Sequence, residues 1–551
     1  MFVVVAGLDL VMRQKYIFLQ KYVLVKLSNF LGVILHKKAY RSEQKGRNKD
    51  VMKKWIASFS IASMLAVAAI PAYAAPAAVK SNMANFESNS IVKKDGSLWV
   101  WGRQQSAPTQ VHSISDVAYT VDNTFIVKKD HSVYYFQKNQ MNTREQEITP
   151  IEGLYGVKDV ISVYPGYILL DEKGQVYSLN PDSEDLEKSL SDLLIPVEGL
   201  NGVKSLSSYS YTIEDKGYET YWLALKQDGT VWQSNVKDST SIQQIKGLTD
   251  IADISSNLAL QKDGTLWALP EEDSVGKLAV PFRVKGVNNI KKVYSDGYSQ
   301  MAIDSQSRLW FLSGTVTGYS DSTDYLTHLS PVRLTTIAQV EEALVVDREL
   351  VARTKNGDVY RTSTQHEKMP SNPKFELVAK DIVEIEDGYK HMIMQKADGT
   401  LWAWGLNSYA DYGSGDYKYD NEYSNIVPVQ KPIVVELNGK SVPLTNGVIV
   451  RNDQAFIPLR SVFGSMGAEI KWDAEDKQAL VTQKQASGTT TVISINFSTG
   501  ETKVNDKPVK LQTAPFISGD TAFLPLRFVS ETLGAKVSWS KQDDKISITM
   551  Q

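Results

Sequence analysis

Leu223-Ala224-Leu225-Lys226, followed by Asp228-Gly229-Thr230-Val231-Trp232, decides the fold of the middle of this chain. Asp-Gly tolerates the positive φ angles of a tight hairpin turn. The residues before it are strand-like. Those after it are aliphatic, then aromatic, which suits a pleated, half-buried surface. The unit reads as a β-hairpin. It returns at Asp95-Gly96-Ser97-Leu98-Trp99, Asp130-His131-Ser132-Val133-Tyr134, Lys173-Gly174-Gln175-Val176-Tyr177 and Asp263-Gly264-Thr265-Leu266-Trp267. Further copies are Gln306-Ser307-Arg308-Leu309-Trp310, Asn356-Gly357-Asp358-Val359-Tyr360 and Asp398-Gly399-Thr400-Leu401-Trp402. One such hairpin says little, but eight in register define a repeat.

The aromatic positions 99, 134, 177, 232, 267, 310, 360 and 402 are 35 to 55 residues apart, the span of one four-stranded propeller blade each. Linking stretches such as Pro196-Val197-Glu198-Gly199-Leu200 and Ile245-Lys246-Gly247-Leu248 repeat as well. The fold class expected is mainly β: a β-propeller of seven or eight blades over residues 75–430, followed by a small duplicated α+β domain.

That second domain announces itself by duplication. Ile457-Pro458-Leu459-Arg460, Gly467-Ala468 and Trp472 recur 67 residues later as Leu524-Pro525-Leu526-Arg527, Gly534-Ala535 and Trp539, and Asn438 recurs as Asn505. Each copy reads strand, turn, strand, helix, strand. Proline suits a helix start, where its missing N–H costs nothing. Gly467 and Gly534 suit left-handed caps. Residues 431–551 form this domain, with repeats 433–499 and 500–551, and Ile426–Pro432 reads as the linker to it.

The 551 residues contain no cysteine, which excludes disulfides and thiolate chemistry. Residues 52–74 read as a secretory signal. Lys53-Lys54 precede an apolar stretch from Ile56 to Ile70, then Pro71, then Ala72-Tyr73-Ala74, with cleavage expected after Ala74. The apolar stretch is short for a bilayer span, so no stable membrane span is expected after cleavage. Residues 1–51 match no fold and read as an over-extended gene start. Residues 1–74 hold 12 Lys/Arg and 3 Asp/Glu, leaving 48 basic against 60 acidic residues, a formal net of −12. An acidic exported chain excludes nucleic acid as the expected partner.

Leu401-Trp402-Ala403-Trp404-Gly405-Leu406-Asn407, echoed by Leu98-Trp99-Val100-Trp101-Gly102, resembles the regulator-of-chromosome-condensation repeat. The resemblance covers roughly residues 85–425, with Trp-Gly in two units only, and implies the fold and not the founder's nuclear activity. The Pro-Leu-Arg, Gly-Ala, aliphatic-x-Trp pattern, twice over, resembles the stalk domain of copper amine oxidases, which is common in exported proteins of Gram-positive bacteria. One departure is Gly464, where the second copy has Glu531 and the family favours an acid. Copper wants several imidazoles. Residues 432–551 hold no histidine, and no motif for the quinone cofactor is present, so no cofactor and no metal are expected. In the amine oxidases the stalk is peripheral to the chemistry, so the resemblance implies nothing catalytic.

No catalytic residue is assigned. Trp101, Trp222, Trp404, Tyr409, Tyr412, Tyr417, Tyr419 and Tyr423 are the candidate binding residues, because they are less tied to the repeat and tyrosine supplies large contact area at low entropy cost. An ordinary closure loop is the other reading of 409–423. Pro458, Arg460, Gly467, Trp472, Pro525, Arg527, Gly534 and Trp539 are read as structural. Buried arginines would satisfy helix and loop carbonyls, and the tryptophans would be core; the other readings are a grip on a carboxylate or an anionic glycan by the arginines and a carbohydrate platform at the tryptophans. The function expected is a secreted, non-catalytic binding or scaffold protein whose propeller face recognises an extracellular protein or a cell-wall polysaccharide, with the stalk domain as spacer, wall-contact or assembly module. The alternatives are a secreted inhibitor of an extracellular enzyme, and a polysaccharide-active enzyme with convergent acids in the central pocket.

Overall fold

The computed structural model describes residues 82–137, 147–181, 189–213, 217–235, 238–269, 280–315, 330–388, 390–417, 425–484 and 488–550. The signal and the segment before it lie outside these residues.

Residues 83–428 build eight four-stranded antiparallel sheets, each from consecutive strands in simple sequence order. The blades are residues 83–110, 117–155, 157–196, 203–244, 251–283, 290–333, 340–379 and 382–428. The innermost strand of each lies against that of the next. Ile382–Asp387 of blade 8 also meets Met83–Glu87 of blade 1, so the ring is closed. Eight apolar clusters fill the eight junctions. The last of them joins Phe86, Trp99 and Trp101 of blade 1 to Ile393, Leu401 and Ala403 of blade 8. Among the described residues no strand is exchanged between the ends of the propeller, and this packing helps to close the ring.

The repeated hairpin is the turn between second and third strands, and all eight aromatic positions sit on third strands. At five turns the aspartate carboxylate accepts from the backbone N–H two residues on, as Asp228 does from Thr230 at 3.0 Å. Such side-chain bonds favour the turn over other local structure. The hydroxyl of Ser97, Thr230 or Thr400 then accepts from the indole of Trp99, Trp232 or Trp402 at 2.9–3.2 Å. Lys93, Lys226 and Lys396 lie over the same rings at 4.0–5.4 Å. The turn glycines have a further task. Gly264 has φ +84, and a Cβ there would stand 2.8 Å from Cα of Asn289 in the next linker. Turn and linker are also bonded, Ile290 N donating to Gly264 O at 3.0 Å.

The sequence placed a linker at Ile426–Pro432. Instead Val427-Pro428 is the fourth strand of blade 8, pairing with Ala403 and Trp402. Proline is tolerated there because it is an edge strand.

The C-terminal domain shares one core between both repeats. Helices α1 (Leu459–Ser465) and α2 (Leu526–Thr532) start just after Pro458 and Pro525 and stop before Gly467 and Gly534, at φ +85 and +86. Strands Gln454–Pro458 and Thr521–Pro525 pair antiparallel with Ile457 opposite Leu524, residues 67 apart. The two repeats are therefore related by a local twofold through this pair. Val434–Leu437 closes the domain by pairing in parallel with Lys545–Met550 at the other end.

Propeller and C-terminal domain meet along the outer strand of blade 1, Gln105–Gln110. Asn446 is fully buried. Its Oδ1 accepts from the N–H groups of Ser106 at 3.0 Å and Ala107 at 3.2 Å, and its Nδ2 donates to Ser106 Oγ at 3.2 Å. Ala107, Ile449, Phe456 and Phe523 pack beside it. An otherwise exposed sheet edge is thus covered, which removes a pairing template.

Candidate functional site

The candidate aromatics divide sharply. Trp101, Trp222, Trp404 and Tyr412 are buried, and they are corrected from binding to packing residues. Trp101 donates from Nε1 to Asp411 O at 2.8 Å, tying blade 1 to the loop between the third and fourth strands of blade 8. Trp222 fills the junction of blades 3 and 4, and Trp404 that of blades 7 and 8. Tyr412 sits in the closing cluster, so this part of the loop serves closure. Gly413 fits beside Trp101 because a Cβ would come within 2.9 Å of the indole. Tyr409 points outward, 61% exposed. Tyr417 is half-buried and lies along Gly519 of the second repeat. Tyr419 and Tyr423 lie outside the described residues. Exposed Tyr164 and Tyr298, in first-to-second-strand turns, share with Tyr409 the end of the propeller opposite the Asp-Gly turns.

The inner strands gather carboxylates where blades 7, 8 and 1 meet. Burial, reinforced by Glu87, Asp387, Glu384 and Glu342, pushes the Glu386 carboxyl up to about 8. Glu349 is raised to about 7 by burial, although Arg361 opposes the shift. Glu87 is engaged: its Oε2 accepts from Thr120 Oγ1 at 2.6 Å and Asn123 N at 2.9 Å. Among the described residues no group of three or more His, Asp or Glu side chains has an arrangement that could hold a metal ion.

The stalk motif holds the second surprise. Arg460 and Arg527 are exposed rather than buried against carbonyls. Trp539 is 42% exposed. Trp472 is half-buried, its ring edge-on to Phe497 at 5.4 Å. The reading of the two arginines as buried is corrected, since a residue one past the start of α1 or α2 faces away from the shared core, and Trp539 is corrected from core to surface, whereas Trp472 does pack against that core. Pro458, Gly467, Pro525 and Gly534 keep structural places.

Arg460 and Trp472 line a half-open cleft of about 380 Å³ with Thr445, Pro458 and Leu459 on one side. Ile517, Gly519, Asp520, Thr521 and Ala522, from the hairpin of the other repeat, complete its lining. The sequence reading missed this second part of the lining because it reaches the first only through the local twofold. The 67-residue offset was the available signal.

Residues 436–548 match the copper amine oxidase N-terminal domain family. Copper itself does not fit here, since this domain supplies no imidazole. Among curated proteins, none matches the chain. Solved structures similar to it include human WBSCR16 (13% identity, 54% of this chain and 89% of that one, TM-score 0.37). Prp20p from Saccharomyces cerevisiae is another (11% identity, 64% and 90%, TM-score 0.36). A third is the computationally designed Ika8 protein (14% identity, 59% and 97%, TM-score 0.37). The propeller assignment rests on the eight sheets and their closed ring. No helix among the described residues is long and apolar enough to cross a membrane.

Proposed function

We propose that this chain is an exported, non-catalytic binding protein whose C-terminal domain contacts a cell-wall polymer. The propeller is the body on which that domain is held. The observation that carries the reading is the open cleft in the C-terminal domain. It sets an exposed guanidinium and an exposed carboxylate beside a half-buried indole that also packs on the core. Arg460 and Asp520 recur as Arg527 and Asp453, all four exposed, which favours a surface role over a packing role for this pair. Export rests on the signal pattern of residues 52–74. The match to an N-terminal rather than a catalytic domain supports binding over catalysis.

Co-sedimentation of residues 75–551 with isolated Gram-positive cell walls tests this. Saturable pelleting is expected. Protein that stays in the supernatant at all wall concentrations removes wall contact.

A second reading is favoured by exposed Tyr164, Tyr298 and Tyr409 at one end of the propeller. Such a face fits an inhibitor that binds one extracellular enzyme. That reading requires a tight one-to-one complex with a soluble protein, weakened by alanine at these tyrosines.

A further inference from the structure

The cleft between Arg460 and Asp520 has chemistry that packing leaves unused. We propose that it is a saccharide site that takes a neutral pyranose unit of a polysaccharide. This rests on the binding-protein reading and narrows its ligand to one class.

Arg460 has no hydrogen-bond or ion-pair partner among the described residues. Its counterpart Arg527 does: Nε lies 3.9 Å from Glu531, one turn along α2. The position equivalent to Glu531 is Gly464, so α1 offers no such carboxylate. The second copy is also narrowed. Gln454 donates to Gln512 at 3.1 Å, and these residues are equivalent to Thr521 and Thr445, which line the open cleft. Among the described residues the first copy combines an unpaired guanidinium with an open cleft, whereas the second sets its arginine beside Glu531.

The ligand class follows from donors, acceptors and charge. A guanidinium only donates and an ionised carboxylate only accepts. Sugar hydroxyls do both, so neighbouring hydroxyls accept from Arg460 and donate to Asp520. The apolar C–H face of the ring packs on Trp472, whose orientation Phe497 fixes. The two wall charges cancel. An anionic ligand meets Asp520, a cationic one meets Arg460, and an apolar one strips water from both without replacing it. A neutral polyol satisfies both charges. The cleft volume falls in the range of small-molecule sites, about 300–1,000 Å³.

The test is calorimetric titration of residues 75–551 with a tetramer of N-acetylglucosamine, maltohexaose and laminarihexaose. Polygalacturonate and oligolysine serve as anionic and cationic arms. At least one neutral glycan is expected to bind with a millimolar or tighter constant. Arg460→Ala and Asp520→Asn should each weaken it about tenfold or more, since each removes a charged hydrogen bond. Both residues are exposed, so melting temperatures should not move, and Arg527→Ala should bind as the unaltered chain does. The proposal is overturned if none of the three neutral glycans binds, if either cleft variant binds normally, or if only a charged polymer binds. Those failures with wall pelleting intact discard the glycan class alone, whereas loss of pelleting discards the binding reading with it.

Discussion

Replacing Asn446 by alanine should uncouple the C-terminal domain from the propeller. The carboxamide is fully buried and accepts from two backbone N–H groups on the outer strand of blade 1. Alanine leaves both donors orphaned and removes the bond to Ser106 Oγ. An unsatisfied buried donor costs about 1–3 kcal/mol. Two give roughly 2–6 kcal/mol, and water entering the vacated space brings the expected figure to about 2–4 kcal/mol. The cost falls on docking, because neither domain's core contains Asn446. Differential scanning calorimetry reads it directly: one coupled transition for the unaltered chain, and two for Asn446→Ala, the C-terminal domain melting first. Gly447→Ala should give the same split for a steric reason, since a Cβ there would fall inside the radius of Pro108 O. A single transition at the unaltered temperature in Asn446→Ala would refute the reasoning.

Glu386 should make stability fall as pH rises. Its folded pKa of about 8 lies above the ordinary 4.5, so the folded chain binds more protons between those values. The slope approaches about 1.4 kcal/mol per pH unit for one proton. Glu386→Gln should flatten the profile between about pH 5 and pH 8, and thermal melts across that range check it. Gly264→Ala should destabilise by about 1–3 kcal/mol, since a side chain at positive φ also meets Asn289. Gly286→Ala, at similar φ with nothing within 4 Å, should cost less in the same urea titration. Arg460→Ala should leave stability within about 0.5 kcal/mol, as an exposed residue without a partner does.

The propeller was legible because each blade writes its own turn. Asp228 and Thr230 are local partners, so the signal lies within a few residues and recurs. Blade number was open in the sequence because only two units carry Trp-Gly. The closed ring settles it, through contacts of Phe86 and Ile393 that lie about 300 residues apart. Candidate sites were harder to read. Trp101 and Tyr412 looked free because they sit outside the repeat pattern, yet that is where closure needs special residues. Arg460 looked buried because both copies keep it, yet retention in two copies does not distinguish a core role from a surface role. Differences between the copies were the better guide. Asn446 and Gly447 stand where the second repeat has Thr513 and Ala514, and they mark the repeat that docks on blade 1. Gly464 against Glu531 marks the arginine left without its carboxylate.

Wall binding by the cleft is the central claim, and it is best tested on the intact chain, because separating the domains would expose the Asn446 interface. Residues 75–551 and the double variant Arg460→Ala/Asp520→Asn would be co-sedimented with Gram-positive cell walls in parallel. The account predicts saturable pelleting of the unaltered chain and loss of most of it in a variant that melts normally. Equal pelleting of the two proteins, or none by either, would contradict it.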